Sequence, residues 1–345
     1  MKKLLLLILA LTLLTSCGSV GPDGDMVYYI SPAEAFVSYG NGAFYQIDGV
    51  TRFIDFDTMV SSPICPKPNC SHTDPDTCSA LGMHELMLVY NGALWWFTTR
   101  DEYKDGEYRW SSDLITSDLA GTNRRKVAEL KGLEIYYSCR YIRDGKLYFT
   151  AWHRGMDKEK GISNNYDKMY LYSYDFSTNT FEELWSVDEG YGAYMNIEGC
   201  FEDRLILEYA HGSDDPNVYN PSEYGSYSFD GSFEVIERDV CSVQKDYMIF
   251  VEDDDSLYVK PAYEDKEYHI TDERITKAFW KGFKVFNGYL WVEGDGYAYN
   301  LKTGKVRETT QDAVIRAYYN GRYIMWLVGN GFEYVSRTEK EIFVD

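Results

Sequence analysis

The chain repeats one short pattern seven times: a tight-turn pair followed by a strand of aromatic and branched apolar residues. Asn-Gly and Asp-Gly pairs supply the positive φ angles of a two-residue hairpin turn, and the alternating residues behind them are typical of β-strand. The copies start 33 to 58 residues apart. They read NGAFYQI at Asn41, NGALWWF at Asn91, DGKLYFT at Asp144, EDRLILEY at Glu202, KDYMIFV at Lys245, NGYLWVE at Asn287 and NGRYIMWL at Asn320. Such a chain is constrained to fold as a series of similar hairpins.

A second marker follows each copy, a further strand that ends in a polar turn, as in LYSYDFSTNT near Asp175 and SYSFDGSF near Asp230. The period matches that of four-stranded propeller blades, and the near absence of long amphipathic helical patterns excludes helical solenoids. Aromatic residues make up 17% of the chain, which suits half-buried sheet faces. We therefore predict an all-β fold, a β-propeller of seven blades, with six or eight blades as alternatives.

The first residues of the chain predict where in the cell the protein is located. Lys2 and Lys3 precede the apolar run Leu4 to Leu14, which is too short for a membrane-spanning helix and is typical of a secretory signal. The Leu-Thr-Ser-Cys that follows resembles a bacterial lipobox, which implies that residues 1–16 are a lipoprotein signal peptide and that Cys17 carries the lipid. An ordinary cleaved signal is the alternative. Two or more acyl chains would hold the protein stably to a membrane.

The remaining chain divides into a tether and one domain. Residues 17–25 are rich in Gly, Pro and Asp, and we expect a flexible tether there. Residues 26–345 are expected to form a single propeller domain. We also expect the segment MVYYI, residues 26–30, to pair with the C-terminal EIFVD in or next to the last blade, because a propeller must close its ring.

The charge narrows the possible partners. The formal net charge is −21, so the protein is a poor ligand for nucleic acid and is repelled by anionic lipid. We expect the lipid on Cys17 to provide the membrane attachment. The predicted location is the extracellular face of a bacterial cell membrane.

A cysteine cluster interrupts the first repeat, in the stretch CPKPNCSHTDPDTC. Cys65, Cys70, His72 and Cys78 offer three thiolates and one imidazole, a set that satisfies tetrahedral zinc in a closed structural site. The spacing differs from that of zinc fingers, and disulfides form readily outside the cytoplasm. A structural zinc site, a disulfide within the cluster and free thiols all remain open at this point. Three further cysteines occur singly in successive repeats, and we interpret them as small core residues: Cys139, Cys200 and Cys241.

The stretch CPKPNCSHTDPDTCSA resembles a segment of uncharacterised propeller-type lipoproteins of Gram-positive gut bacteria. In that group a similar order of Cys, Cys, His and Cys follows an early strand and is trailed by alanine, here Ala80. The resemblance covers the lipobox, the cluster and the repeat layout, and it brings no substrate with it. Recurrence of all four residues in that group would favour metal ligation, since a disulfide has no use for His72.

Two insertions break the period at matching places in the third and fourth repeats, at residues 152–168 and 209–225. Equivalent insertions in adjacent blades should emerge on one face, where they could line a binding pocket. Solvated hairpin extensions are the alternative. The candidate ligand-binding residues in these insertions are Trp152, His153, Tyr209, His211, Asp214 and Asp215.

We find no nucleophile elbow, zinc-protease motif or phosphate-binding glycine loop, so no catalytic residue is assigned. The expected function is a non-catalytic propeller that binds a glycan, a small molecule or a protein partner. An extracellular glycoside hydrolase or lyase with an axial site is the first alternative, because propeller sites gather residues from several blades and leave no local motif. An accessory subunit of a surface complex is the second.

Overall fold

The computed structural model describes residues 26–27, 36–83, 85–104, 107–136, 140–153, 156–157, 162–163, 166–218, 220–244, 246–278, 282–310, 313–327 and 333–344. Cys17, the predicted signal peptide and the tether lie outside these residues, as does Cys139. No helix in the described part of the chain has the length and apolar character needed to cross a membrane.

The described strands form seven blades and one small hairpin. An N-terminal strand, β1, spans Met26–Val27. Blade 1 contains β2 (Phe36–Tyr39), β3 (Gly42–Ile47), β4 (Val50–Asp55) and β5 (Ser61–Pro63). Blade 2 contains β6 (Glu85–Tyr90), β7 (Ala93–Lys104), β8 (Glu107–Asp118) and β9 (Arg125–Lys131). Blade 3 contains β10 (Glu134–Ile135), β11 (Arg140–Arg143), β12 (Lys146–His153), β15 (Tyr166–Asp175), β16 (Thr180–Ser186) and β17 (Gly190–Tyr191), and the small hairpin joins β13 (Met156–Asp157) to β14 (Ile162–Ser163).

The second half of the ring is more regular. Blade 4 contains β18 (Tyr194–Phe201), β19 (Arg204–Ala210), β20 (Glu223–Ser228) and β21 (Phe233–Ile236). Blade 5 contains β22 (Asp239–Gln244), β23 (Tyr247–Val251), β24 (Leu257–Pro261) and β25 (Tyr268–Ile270), and is followed by helix α1 (Glu273–Thr276). Blade 6 contains β26 (Phe283–Phe286), β27 (Tyr289–Val292), β28 (Tyr297–Asn300) and β29 (Lys305–Glu308). Blade 7 contains β30 (Ala313–Tyr319), β31 (Arg322–Leu327) and β32 (Tyr334–Thr338), and is followed by helix α2 (Glu339–Ile342). The prediction of a seven-bladed propeller is confirmed.

The hairpin turns explain the repeat. In blade 2, Asn91 and Gly92 both have positive φ, as a type I′ turn requires. The fourth copy lacks glycine, yet Glu202 and Asp203 adopt the same left-handed conformation. In blade 1 the register pairs Tyr39 with Gly42, so the turn lies one residue earlier than the sequence suggests. Gly42 is instead required inside β3, because a Cβ there would lie 2.2 Å from the Ile54 carbonyl oxygen.

Each blade is built on an antiparallel meander whose strands appear in chain order; in blade 3, β1 also pairs with β11, β10 pairs with β12 and β17 pairs with β15. The first strands of neighbouring blades contact one another, as β18 does with β22, which places them around the axis. Apolar faces of adjacent blades pack together to form the core. The largest such cluster spans blades 1, 2 and 3 and includes Phe44, Trp96, Phe97 and Phe149.

The ring closes without the strand exchange that we expected. β1 pairs with β11 in blade 3, with Met26 opposite Tyr141, and not with the last blade. The C-terminal segment is not a strand either, because Thr338 and Glu341 form a capping box that starts α2. Phe343 then forms a bridge to Thr309 at the edge of blade 6. That part of the prediction is wrong.

Blades 1 and 7 meet instead through aromatic side chains, at a junction that we call the closing seam. Tyr334 of blade 7 packs against Phe36 with ring centroids 5.5 Å apart, and against Tyr45 at 4.9 Å. Phe56 packs against Tyr319 at 5.5 Å. Ala43, Ile54 and Ile324 are fully or almost fully buried in the same cluster, so the seam is held by apolar contact.

Candidate metal centre

The cysteine cluster lies in the loop that leaves β5 and runs toward blade 2. Its backbone is strongly bent, since Asn69 and His72 have φ angles of 57° and 53°, a left-handed conformation that is uncommon for residues other than glycine. A turn follows in which the Cys78 N–H donates to the Asp74 carbonyl at 2.9 Å. These bends bring residues from both ends of the loop together.

The four predicted ligands converge. One ligand atom each from Cys65, Cys70, His72 and Cys78 lies within 4.8 Å of the other three. His72 Nδ1 is 3.1 Å from Cys78 Sγ. Zinc bonds of about 2.3 Å to sulfur and about 2.0 Å to nitrogen imply ligand atoms roughly 3.5 to 4 Å apart in a tetrahedron. The three thiols of the cluster are free, without a disulfide between them. The arrangement is therefore able to hold a tetrahedral metal ion.

The thiols of the cluster lie in unequal environments. Burial alone would raise the pKa of Cys65, but hydrogen bonds from the backbone of Lys67 and Ser79 lower it to about 7. Burial raises the pKa of Cys78 to about 11, and the neighbouring thiols add to that effect. Cys78 is only 2% exposed. A divalent cation would compensate the charge of these thiolates, and metal binding requires their deprotonation.

The loop is anchored to blade 2 by Arg124. Its guanidinium donates hydrogen bonds to the carbonyls of Ser79 at 2.6 Å and Leu81 at 2.7 Å. The same side chain lies over the Trp96 ring, 5.3 Å from its centroid. Ser79 Oγ donates to the Ala120 carbonyl at 2.8 Å. Sequence reasoning missed Arg124, because more than forty residues separate it from the carbonyls it binds.

Gly121 makes the close approach of the loop possible. A Cβ on this residue would lie 2.1 Å from the Ser79 carbonyl oxygen, and its φ of 70° is left-handed. On the blade 1 side, the Thr51 N–H donates to the Ala80 carbonyl at 2.7 Å. The loop thus bridges blades 1 and 2, and we call this junction the clipped seam.

The predicted ligand-binding residues occupy blades 3 and 4, where both insertions join the second strand to the third. The insertion in blade 3 contains the hairpin of β13 and β14, in line with the hairpin-extension alternative. Trp152 packs against Tyr136 at 5.2 Å, and His153 is exposed at the end of β12.

In blade 4, Tyr209 is 2% exposed and its hydroxyl donates to Glu223 at 2.8 Å. His211 Nδ1 lies 3.1 Å from Asp188 Oδ2. Asp214 and Asp215 are exposed, and Asp215 accepts from the Asn217 N–H at 2.9 Å. Trp152 and Tyr209 pack in one hydrophobic cluster, whereas the two aspartates do not join it. A ligand-binding role for these residues stays a prediction.

The structure adds a pair of carboxylates that the sequence did not single out. Glu198 is the extra residue of a β-bulge on the first strand of blade 4, where the register shifts between Ile197 and Gly199. Burial, together with the charge of Glu208, raises its pKa to about 7. Glu208 accepts a hydrogen bond from the Tyr194 hydroxyl at 3.2 Å.

No protein-family profile and no curated protein matches this sequence. Among solved structures, an acylaminoacyl peptidase is 15% identical, with a TM-score of 0.47, over 87% of this chain and 49% of its own. The chain therefore spans about half the length of that peptidase. The β-propeller domain of the Trilobed protease from Pyrococcus furiosus is 13% identical, with a TM-score of 0.42, over 92% of each chain. An oligogalacturonate lyase in complex with manganese is 11% identical, with a TM-score of 0.41, over 93% of this chain and 92% of its own. These similarities concern the fold and carry no activity over to this chain.

Proposed function

We propose that this protein is a lipid-anchored, non-catalytic binding module on the outer face of a bacterial cell membrane, with its first two blades clipped together by a structural zinc ion. One observation carries the clip: four soft or borderline ligand atoms converge in a loop that is hydrogen-bonded to both blades. A full set of four protein ligands leaves no open position for water or substrate, which is the arrangement of structural rather than catalytic zinc.

The location rests on the sequence. The basic start, the apolar run and Leu-Thr-Ser-Cys resemble a lipobox, and the net charge of −21 keeps the folded body away from an anionic surface. In this arrangement the lipid on Cys17 supplies the attachment and the propeller presents its faces outward.

The metal is tested on the full chain, purified from a bacterial host in mild detergent. We expect about one zinc per chain by elemental analysis, and three thiols of the cluster that titrate only after denaturation and chelation. Cys70→Ser should remove the zinc, and Cys241→Ala, a thiol in blade 5, should leave it in place. If the protein contains no metal, and the denatured chain has two fewer titratable thiols before reduction than after it, a disulfide is present and the zinc proposal is wrong.

The anchor is tested separately. Metabolic labelling with a fatty acid should mark the chain, and Cys17→Ala should abolish both the label and recovery in the membrane fraction. Unchanged labelling of the Cys17→Ala variant would contradict the anchor while leaving the zinc proposal intact.

A second candidate function is that of an extracellular carbohydrate-active enzyme. The observation that favours it is Glu198 on the first strand of blade 4, whose pKa is raised to about 7 by burial and by the charge of Glu208 on the next strand. Glycosidases and lyases use such unequal carboxylates as acid and base. Release of reducing ends from a panel of polysaccharides, lost in Glu198→Gln, would favour the enzyme over the binding module.

A further inference from the structure

The first two strands of blade 4 carry polar side chains on one face. Alternate residues of a strand point to opposite faces, and Met195 and Ile197 point into the apolar cluster shared with blade 3. Tyr194 and Asn196 therefore point the other way. The register places Asn196 directly opposite Glu208 of the second strand, so the tyrosine, the amide and the carboxylate share this face.

Two carboxylates beside this face have no cationic partner among the described residues. Glu198 contacts the side-chain amide of Asn196, Glu208 accepts from the Tyr194 hydroxyl at 3.2 Å, and neither forms an ion pair there. By contrast, Asp113 of blade 2 is paired with two cationic side chains. Removal of a carboxylate from water is unfavourable without a positive charge nearby. A cation would therefore stabilise the pair in blade 4.

The amide of Asn196 leaves an acceptor unused beside the carboxylates. Its nitrogen donates to Glu198, whereas its oxygen is buried and accepts no hydrogen bond within the part of the chain that the structure describes. Buried polar atoms are almost always paired, because an unpaired one costs free energy. The amide oxygen and the two carboxylates are all acceptors. A group that satisfies them therefore carries several hydrogen-bond donors as well as a positive charge.

Aromatic rings lie around these acceptors. Tyr136 of blade 3 stands edge-on to Tyr194, with ring centroids 5.9 Å apart and an interplanar angle of 87°, and Trp152 packs against Tyr136 at 5.2 Å. Tyr224 stands opposite Glu208 in the third strand. Burial, and after it the charge of Glu208, raises the pKa of all three tyrosines. Neutral aromatic side chains thus surround this carboxylate.

From this combination we infer that blade 4 binds a small organic cation that carries N–H groups, a primary alkylammonium, between the carboxylates of Glu198 and Glu208 and the rings of Tyr136 and Tyr194. The ammonium group would donate to the carboxylates and to the Asn196 oxygen. Its alkyl chain would pack on the tyrosine rings, whose faces also attract positive charge. This inference rests on the proposed function as a binding module and names its ligand class.

The chemistry of the site favours an organic cation over a metal ion or a neutral sugar. Among the described residues, the group of three or more metal-ligating side chains is the cysteine cluster, so the pair of Glu198 and Glu208 lacks the third ligand of a metal site. A neutral sugar supplies hydroxyl donors but leaves both carboxylates without a counter-charge. The formal net charge of −21 also concentrates cations near the protein.

The first test compares three ligands of similar size on the unchanged full chain in mild detergent at pH 8. Calorimetric titration with butylammonium should show saturable binding, with a dissociation constant in the submillimolar to millimolar range. Butanol lacks the charge, and butyltrimethylammonium keeps the charge but has no N–H donor. Each should bind at least tenfold more weakly than butylammonium, because charge-assisted hydrogen bonds are lost.

The second test locates the site by substitution. Glu208→Gln keeps an acceptor for the Tyr194 hydroxyl but removes the charge, and it should weaken butylammonium binding at least tenfold. Glu223→Gln is the matched control and should change the affinity less than twofold. Glu223 likewise accepts from a tyrosine hydroxyl, that of Tyr209 at 2.8 Å, but on the other face of the same blade.

Each outcome decides the inference. No saturable binding at about 10 mM butylammonium, equal binding of butanol, or equal effects of Glu208→Gln and Glu223→Gln would overturn it. Binding of manganese or of a polysaccharide without binding of butylammonium would also overturn it, and would assign the carboxylates to a metal ion or to the carbohydrate-active candidate. Because zinc content and membrane attachment are measured independently, such a failure would leave the proposed clip and anchor standing.

Discussion

Blade 1 meets its two neighbours in opposite ways. At the clipped seam with blade 2, a loop with four converging ligands is tied by directional hydrogen bonds from Arg124 and Thr51. At the closing seam with blade 7, aromatic rings such as Tyr45 and Tyr334 pack together, and no strand within the described residues is shared between the two blades. The first junction depends on specific polar partners, whereas the second depends on buried apolar area. The same repeated unit is thus joined by directional polar contacts on one side and by apolar packing on the other.

Removal of the proposed zinc ion should produce the largest effect, and it should act on the clipped seam. We expect chelation to lower the free energy of unfolding by more than about 4 kcal/mol, because folding and structural zinc binding are coupled. Urea denaturation with and without chelator measures the difference. Cys70→Ser should behave like the chelated protein and gain nothing from added zinc. Equal stability in the two conditions would show that the loop needs no metal.

Tyr334→Ala tests the closing seam. It removes a ring that contacts both Phe36 and Tyr45, and we expect a loss of about 3 kcal/mol from the lost burial and the space left behind. Tyr263→Ala, a ring that is 72% exposed, is the control and should stay within about 0.5 kcal/mol. Zinc content should be unchanged in both variants. A loss of zinc in Tyr334→Ala would mean that the two seams are coupled.

Arg124→Met separates the contribution of the hydrogen bonds at the clipped seam from that of the proposed zinc ion. The variant keeps an apolar side chain but loses the bonds to the Ser79 and Leu81 carbonyls, so we expect a loss of about 2 kcal/mol with zinc retained. Arg125→Met, at an exposed neighbouring position, is the control. If Arg124→Met were as stable as Arg125→Met, the metal alone would hold the loop.

Glu198→Gln gives the smallest effect and serves as a reference outside both seams. The folded protein holds the Glu198 proton more tightly than the unfolded chain, since burial and Glu208 raise its pKa from 4.5 to about 7. Stability contributed by this group is therefore complete below pH 4.5 and is lost as the pH rises toward 7. Glu198→Gln should remove that loss, on the order of 1 kcal/mol between pH 5 and pH 6. Thermal unfolding across this range measures it, and parallel profiles for the two proteins would show that the pKa is not raised.

The repeated sequence pattern predicted the individual blades but not how the ring of blades closes. Turn pairs and alternating strands are encoded within about twenty residues, and seven copies therefore indicated seven blades. Pairing between the two ends depends on competition among distant segments, and here Thr338 and Glu341 favour a helix over the expected strand. The order Cys, Cys, His, Cys predicted the four side chains that converge in the cluster, and metal binding there stays a prediction. Arg124 and Glu198 escaped notice, because one acts through a long-range contact and the other through a bulge in the register.

The meander topology has a consequence for how the molecule folds. Nearly every strand pairs with its neighbour in sequence, so each blade closes only short loops. The contact between Phe36 and Tyr334 closes a loop of about 300 residues, the costliest in entropy. During synthesis from the N-terminus, the completed blades would therefore form an incomplete ring. The ring would close only after blade 7 has been synthesised and folded. The closing seam should likewise be the first place where amide hydrogens exchange through local opening.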